Sequence, residues 1–202
     1  MRIGVLGIQG DIQEHLRAIN KIGHEPVWVK DVPTLESVDA LAMPGGESTT
    51  MTKLLKRFGI WDTLRERIVD GLPVFATCAG MILLSEGVEN YPAQDTLRVL
   101  DVTIERNGYG RQANSFEADL YMNYLGDVPF RAIFIRAPKI SSIGEGVEVL
   151  ANYNGVPVLV RHKSIMAASF HPELTSDFRL HMYFIEAIAR LNEEARTEKQ
   201  DV

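Results

Sequence analysis

The chain has 202 residues, 46% of them apolar and 24% charged, which is enough for one domain with a real core. Its formal net charge is −6 and no run of Lys and Arg forms a basic patch, which argues against nucleic acid as a partner. No stretch reaches the length of a membrane span, no signal-like segment opens the chain, and the sole cysteine excludes an internal disulfide, so a reducing cytoplasm is the expected setting.

Residues 2–8, RIGVLGI, read as a buried strand leading to Gly10. Residues 11–22 follow as a helix, with Ile12, Leu16, Ile19 and Ile22 on one face. Asp11 suits the positive N-terminal end of that helix and Gly23 ends it. EPVWV, from Glu25, reads as a second strand and begins an alternating α/β pattern. Val38–Met43 is a third apolar run, broken sharply by PGGES at 44–48. Thr49–Phe58 and Ile60–Val69 read as helices, the first with Met51, Leu54, Leu55 and Phe58 on one side. Pro73–Ala76 is a short buried strand, followed by Thr77, Cys78, Ala79, Gly80 and the apolar run Met81–Leu84: strand, tight turn, helix.

From about Val99 the pattern shortens. VLDVTIERN, NSFEADLYM and FRAIFIRAP alternate as strands do, and residues 147–170 continue in the same way. Asn154–Gly155, between two strand-like runs, is a hairpin signal. A long helix, 177–192, closes the pattern before the polar segment EEARTEKQDV. These elements predict one domain over residues 1–192, a three-layer α/β/α architecture around a central mixed, mostly parallel sheet whose last strands return to the same core. Residues 193–202 read as a polar tail.

Cys78 sits at the strand-to-helix junction, an order like that of a nucleophile elbow. The helix after it offers unpaired amides and a positive end, both of which favour a thiolate. A buried cysteine acting as a small hydrophobe is the competing reading. His171 closes the strand-like IMAASF and precedes Pro172, which restrains its backbone. Glu173, two positions on, can orient the imidazole and stabilise its protonated form while the other ring nitrogen faces the thiol. Alone, the pair could equally be a solvated turn. His15 reads as a structural or interface residue within the first helix, His24 follows a helix-ending glycine, His162 lies in a hairpin region, and His181 is a packing or surface residue of the last helix. No paired-cysteine motif and no HExxH is present, so no metal site is expected.

PGGES lies between a strand and a helix. Gly45 and Gly46 can take backbone angles closed to other residues and so turn an amide toward a substrate carbonyl. Gly46 and Ala79 together would supply a two-donor oxyanion hole. The plainer reading is a turn with Ser48 or Thr49 capping the helix, and both can hold at once.

IGVLGIQGD near the start, LAMPGGESTT at 41–50, ATCAG at 76–80, ERNGYGRQANSFEADL at 105–120, FIRAP at 134–138 and SFHPELT at 169–175 occur in this order over nearly all of residues 1–192. In this combination the chain resembles the glutaminase subunits of pyridoxal 5′-phosphate synthases, within the class I, triad-type glutamine amidotransferase superfamily with its flavodoxin-like sheet. Ala76 stands where the wider superfamily's elbow often has glycine. The resemblance implies Cys78 as nucleophile, His171 as general base and Glu173 as orienting carboxylate. It implies oxyanion donors at Gly46 and Ala79, and glutamine contacts from Gly46, Glu47, Ser48, Arg106, Ile135 and Arg136. An arginine suits an α-carboxylate and a carboxylate such as Glu47 suits an α-ammonium.

The implied reaction is hydrolysis of L-glutamine to L-glutamate and ammonia through a thioester, with no metal or organic cofactor. The implied partner is a (β/α)8-barrel synthase subunit that takes the ammonia internally, in an assembly of twelve barrel and twelve glutaminase subunits. Gln9 and Gly10 are expected to couple docking of that partner to formation of the oxyanion hole. Competing readings are the glutaminase of another amidotransferase, such as the imidazole glycerol phosphate synthase type, a cysteine hydrolase of the same architecture, and an inactive regulatory module on the same fold.

Overall fold

A computed structural model describes residues 1–109 and 115–189. Its first half follows the alternation of the sequence. Strand β1 (Arg2–Leu6) leads to α1 (Ile12–Lys21) and β2 (Glu25–Val29). A short helix α2 (Val32–Glu36) comes next, then β3 (Ala40–Met43), α3 (Ser48–Arg57), α4 (Trp61–Val69), β4 (Val74–Thr77) and α5 (Ala79–Leu84). Helix α2 was not expected. A capping box, in which the Asp31 and Thr34 side chains each accept from the other's backbone amide, starts it, with Pro33 in its first turn.

The second half adds β5 (Ser85–Val88), β6 (Leu100–Glu105), β7 (Ser115–Leu120), β8 (Phe130–Ile135), β9 (Lys139–Ile143), β10 (Glu148–Tyr153), β11 (Val156–His162) and β12 (Ile165–Ala168). The turn between β10 and β11 has Asn154 at φ +50° and Gly155 at φ +77°, the left-handed pair that the Asn-Gly signal predicts. The closing helix α6 spans Arg179–Phe184 and continues as π-helical turns over Ile185–Ala189. The rest of the expected helix, to residue 192, and the tail 193–202 lie outside the described residues.

The central sheet has seven strands in the order β10-β11-β12-β4-β3-β1-β2. From β12 to β2 every pairing is parallel, while β11 runs antiparallel to both its neighbours. Successive side chains of a strand point to opposite faces, and the burial divides accordingly. Ile3, Val5, Ala40, Ala42 and Phe75 join the core under α1 and α6, whereas Leu6, Leu41, Met43, Val74 and Ala76 join the core under α2 to α5. These are the three layers the sequence predicts.

The strands between 99 and 138 do not extend this sheet. β5, β6 and β9 form a separate three-stranded sheet, and β7 pairs with β8 in an antiparallel ribbon. Val88, Val102, Ile104 and Ile140 pack with the α2–α5 core, and Ala118, Leu120, Phe130 and Phe134 with the α1–α6 core. One pairing decides where chemistry can occur. β12 inserts beside β4 in parallel, with Ala168 opposite Thr77. The residues that follow both strands therefore emerge at one sheet edge. No helix among the described residues is long and apolar enough to cross a membrane.

Candidate active site

Cys78 follows β4 and caps α5 with φ +48° and ψ −105°. This backbone is forced, since a non-glycine residue rarely takes positive φ. Its amide donates to Ala168 of β12 at 2.8 Å, which ties the elbow to the neighbouring strand. Ala76, the departure from a glycine at the elbow's first position, is wholly buried and leaves the turn intact. A Cβ at Gly80 would lie 2.4 Å from the Met43 carbonyl, so the helix packs on β3 only with glycine there. The thiol is 7% exposed and points toward the Ile135 carbonyl, 3.9 Å away at the end of β8.

His171 leaves β12 just before a 3₁₀ turn at Pro172–Leu174, and its amide donates to Ile133 at 2.8 Å. Its Nδ1 is 2.8 Å from Oε1 of Glu173, which is wholly buried. The ring and the Cys78 thiol line the same cavity. With Nδ1 held by a carboxylate, Nε2 is the nitrogen left for sulfur. Burial lowers the proton affinity of the ring, but its interactions with Asp11, Cys78 and Glu173 outweigh that and push the pKa up to about 12. Burial raises the pKa of Glu173, with a smaller push from the Asp11 charge, and its bond to His171 opposes both.

Asp11 stands at the N-cap of α1, the positive end of the helix where the sequence puts it. Its side chain makes no capping bond and instead reaches Nδ1 of His171 at 3.2 Å. Asp11, His171 and Glu173 thus bring three ligand-type atoms within 4.8 Å of one another. Both carboxylates turn onto the same ring nitrogen, an arrangement that shares a proton.

Beside the thiol opens a cavity of about 310 Å³, a size suited to a small ligand. It brings together every expected site residue outside Gly10 and Glu173: Gln9, Gly46, Glu47, Ser48, Cys78, Ala79, Arg106, Ile135, Arg136 and His171 all line it. Gly10, at φ +113°, lies against the glycine turn, and a Cβ there would meet the Gly45 carbonyl oxygen at 1.8 Å. That same carbonyl accepts from the Asp11 amide at 3.1 Å, and the Gln9 side-chain oxygen accepts from the Glu47 amide at 2.8 Å. The 9–11 loop therefore holds both peptides that flank Gly46. Ala79 begins α5, where amides have no acceptor within the helix.

The cap of α3 is Glu47 rather than Ser48 or Thr49. Its carboxylate accepts from the Thr49 and Thr50 amides at 3.2 and 2.7 Å. Burial opposes ionisation there, but the threonine hydrogen bonds bring the pKa down to about 2. Ser48 is buried and donates to Gln94 at 3.3 Å, and Arg106 donates to the same Gln94 oxygen at 3.2 Å. Sequence reading missed Gln94, which no motif marks. It also missed Thr77, whose hydroxyl lies 3.3 Å from Glu173. His15 and His181, read as structural or interface and as packing or surface residues, are both buried beneath it.

An elbow cysteine, a His–Glu pair and a glycine turn on one edge of a mostly parallel three-layer sheet define a triad-type amidotransferase architecture. A model of the SNO glutamine amidotransferase family matches residues 5–190, and the chain belongs to that family. It is 62% identical over 188 residues to "Pyridoxal 5′-phosphate synthase subunit PdxT" of Kosmotoga olearia, covering 93% of this chain and 98% of that protein. It is 56% identical over 188 residues to the protein of the same name from Thermotoga petrophila, covering 93% and 100%. A crystal structure of a glutamine amidotransferase superposes with a TM-score of 0.87 at 49% identity, covering 93% of this chain and 98% of that one. The structure of PurLQS from Thermotoga maritima shares the fold, with a TM-score of 0.66 at 13% identity, covering 92% of this chain and 97% of that one.

Proposed function

We propose that this glutamine amidotransferase is the glutaminase component of a pyridoxal 5′-phosphate synthase, with Cys78, His171 and Glu173 as its triad. The observation that carries the reading is the meeting of a strained elbow cysteine and a carboxylate-held histidine in one cavity of amino-acid size. The Cys78 thiolate attacks the side-chain amide carbon of L-glutamine. The oxyanion of the tetrahedral intermediate is met by the Gly46 and Ala79 amides. As the C–N bond breaks, His171 gives its proton to the departing nitrogen, and ammonia leaves a γ-glutamyl thioester. His171 then takes a proton from water, which cleaves the thioester to L-glutamate and restores the thiol.

Within the cavity, Arg106 or Arg136 receives the substrate α-carboxylate, and Glu47, ionised at neutral pH, the α-ammonium. Ser48 and the Ile135 carbonyl complete the contacts. The names of the similar proteins speak of a synthase subunit, which supports a second, ammonia-consuming protein as the partner. That partner is a (β/α)8 barrel in the cytoplasm, assembled as twelve barrels with twelve glutaminases. Gln9 and Gly10 transmit its docking to the glycine turn. The grip of the Gln9 side chain on the Glu47 amide supports this.

The test measures ammonia and glutamate release from L-glutamine with and without a barrel synthase, beside Cys78→Ala and Gln9→Ala. Release that rises with the partner and disappears in Cys78→Ala supports the reading. Release that survives in Cys78→Ala removes the nucleophile, and undiminished partner stimulation in Gln9→Ala removes the coupling role.

A further inference from the structure

Two histidines that glutamine hydrolysis leaves unused lie wholly buried behind the triad. His15 on α1 and His181 on α6 are 166 positions apart, yet Nε2 of His181 is 3.2 Å from Nδ1 of His15. Nε2 of His15 is 3.2 Å from the Thr77 hydroxyl, which is 3.3 Å from Oε1 of Glu173. Phe75 packs edge-on against both rings and closes the site off from water.

The chemistry of the groups fixes the direction of this chain. An ionised Glu173 can only accept, so the Thr77 hydroxyl donates to it. That hydroxyl then accepts from His15 Nε2–H. Nδ1 of His15 is left bare and accepts from Nε2–H of His181. The last atom, Nδ1 of His181, has no hydrogen-bond partner. In this direction it is a bare acceptor, which is tolerated better in a core than an orphaned N–H. The reverse direction would strand a buried N–H on His181 and turn the Thr77 hydrogen away from the carboxylate. The other carboxylate oxygen, Oε2, lacks a hydrogen-bond partner, and His15 Nε2 stands 3.6 Å from it.

We propose that His15 and Thr77 are positioning residues that keep Glu173 ionised and aimed at His171, and that His181 fixes the tautomer in which His15 donates. The proposal rests on the triad reading above. Glu173 needs such donors because burial disfavours its anion and Asp11 adds a like charge nearby. The groups facing it are His171, Asp11, Thr77, His15 and, behind His15, His181. Both rear histidines are held neutral by burial, so they act as hydrogen-bond donors and not as counter-ions. The reactive thiolate–imidazolium pair requires Glu173 ionised. Loss of the donors therefore raises the pH at which that form appears.

Cys78 is the sole cysteine, so iodoacetamide alkylation against pH reads this thiolate alone, without glutamine or partner. In His15→Leu the acid limb of the profile moves up by about one pH unit, which makes alkylation on that limb roughly tenfold slower. His15→Gln, whose amide can donate from near the lost Nε2–H, keeps the limb in place. Thr77→Val moves it as His15→Leu does and serves where His15→Leu fails to fold. Folded variants with an unmoved limb overturn the proposal, as does a drop that is uniform across pH. Glu173→Gln is the control for the triad itself. Its profile collapses to an ordinary thiol titration, and a wild-type profile there would overturn the triad reading and this one with it.

Discussion

Asp11 brings a carboxylate oxygen to 3.2 Å from Nδ1 of His171, the nitrogen that Glu173 already holds at 2.8 Å. The two acids differ in exposure: the Asp11 side chain is 37% exposed and that of Glu173 is wholly buried. Water screens the first and not the second. Both raise the pKa of His171, so removing either lowers it and moves the alkaline limb of activity to lower pH. Asp11→Asn should shift that limb modestly and reduce kcat by less than about tenfold, whereas Glu173→Gln should reduce kcat roughly a hundredfold or more. Initial rates of ammonia release across pH check both. Equal losses would mean that Asp11 carries the orienting role.

Gly45 is the tightest point of the glycine turn. A Cβ there would stand 2.3 Å from Cε1 and 2.8 Å from Nδ1 of His171. The ring would have to move off the thiol, and displacements near 1 Å cost about a hundredfold in rate. Gly45→Ala should therefore lower kcat by about that factor while the protein stays folded, as read from its circular dichroism. A variant with full activity would show that the ring has room to yield.

Arg106 is one of two arginines, with Arg136, that line the cavity. Its guanidinium donates to Gln94 at 3.2 Å, lies 3.5 Å from the Glu47 carboxylate and sits over the Tyr91 ring at 5.4 Å. Gln94→Leu leaves Arg106 and Ser48 without their shared acceptor. Arg106→Ala should raise KM for glutamine about 10- to 100-fold, the range of a charge-assisted hydrogen bond, with kcat altered much less. Gln94→Leu should raise KM in the same direction by a smaller factor. An unchanged KM in Arg106→Ala would move the α-carboxylate to Arg136.

Local signals carried most of the first half of the fold into view. The spacing of Ile12 and Ile19 marks α1, the apolar blocks mark β3 and β4, and Asn154–Gly155 marks the β10–β11 turn. Each of these depends on neighbours a few positions away. What stayed hidden depends on distant partners. The separation of β5–β6–β9 and β7–β8 from the main sheet is decided by which core each face meets, not by their own alternation. Glu47 as the α3 cap was obscured because Ser48 and Thr49 are the commoner capping residues. Thr77 meets Glu173 across 96 positions and His15 meets His181 across 166, so no window of sequence could pair them. The meeting of Cys78 and His171 was legible because both follow strands, β4 and β12, that pair in parallel and end at one sheet edge.

The same buried histidines set a pH limit on the fold. Burial lowers the pKa of His181 from 6.5 to about 4, and that of His15 well below 6.5. The unfolded chain binds these protons first, so stability is complete above pH 6.5 and falls as pH drops toward 4. For His181 alone the span corresponds to about 3 kcal/mol. His171 has the opposite sign: its raised pKa adds stability that is complete below 6.5 and lost as pH climbs toward 12, outside this window. Glu173, raised by burial, binds its proton more readily when folded and so opposes the histidines at acid pH. His181→Leu leaves Glu173 in both proteins, so the difference reads the His181 part together with the share of the His15 shift that His181 causes. Urea midpoints measured from pH 7 to pH 4 should fall steeply for the wild type and less steeply for His181→Leu. Parallel slopes would show that His181 keeps its proton affinity in the folded core.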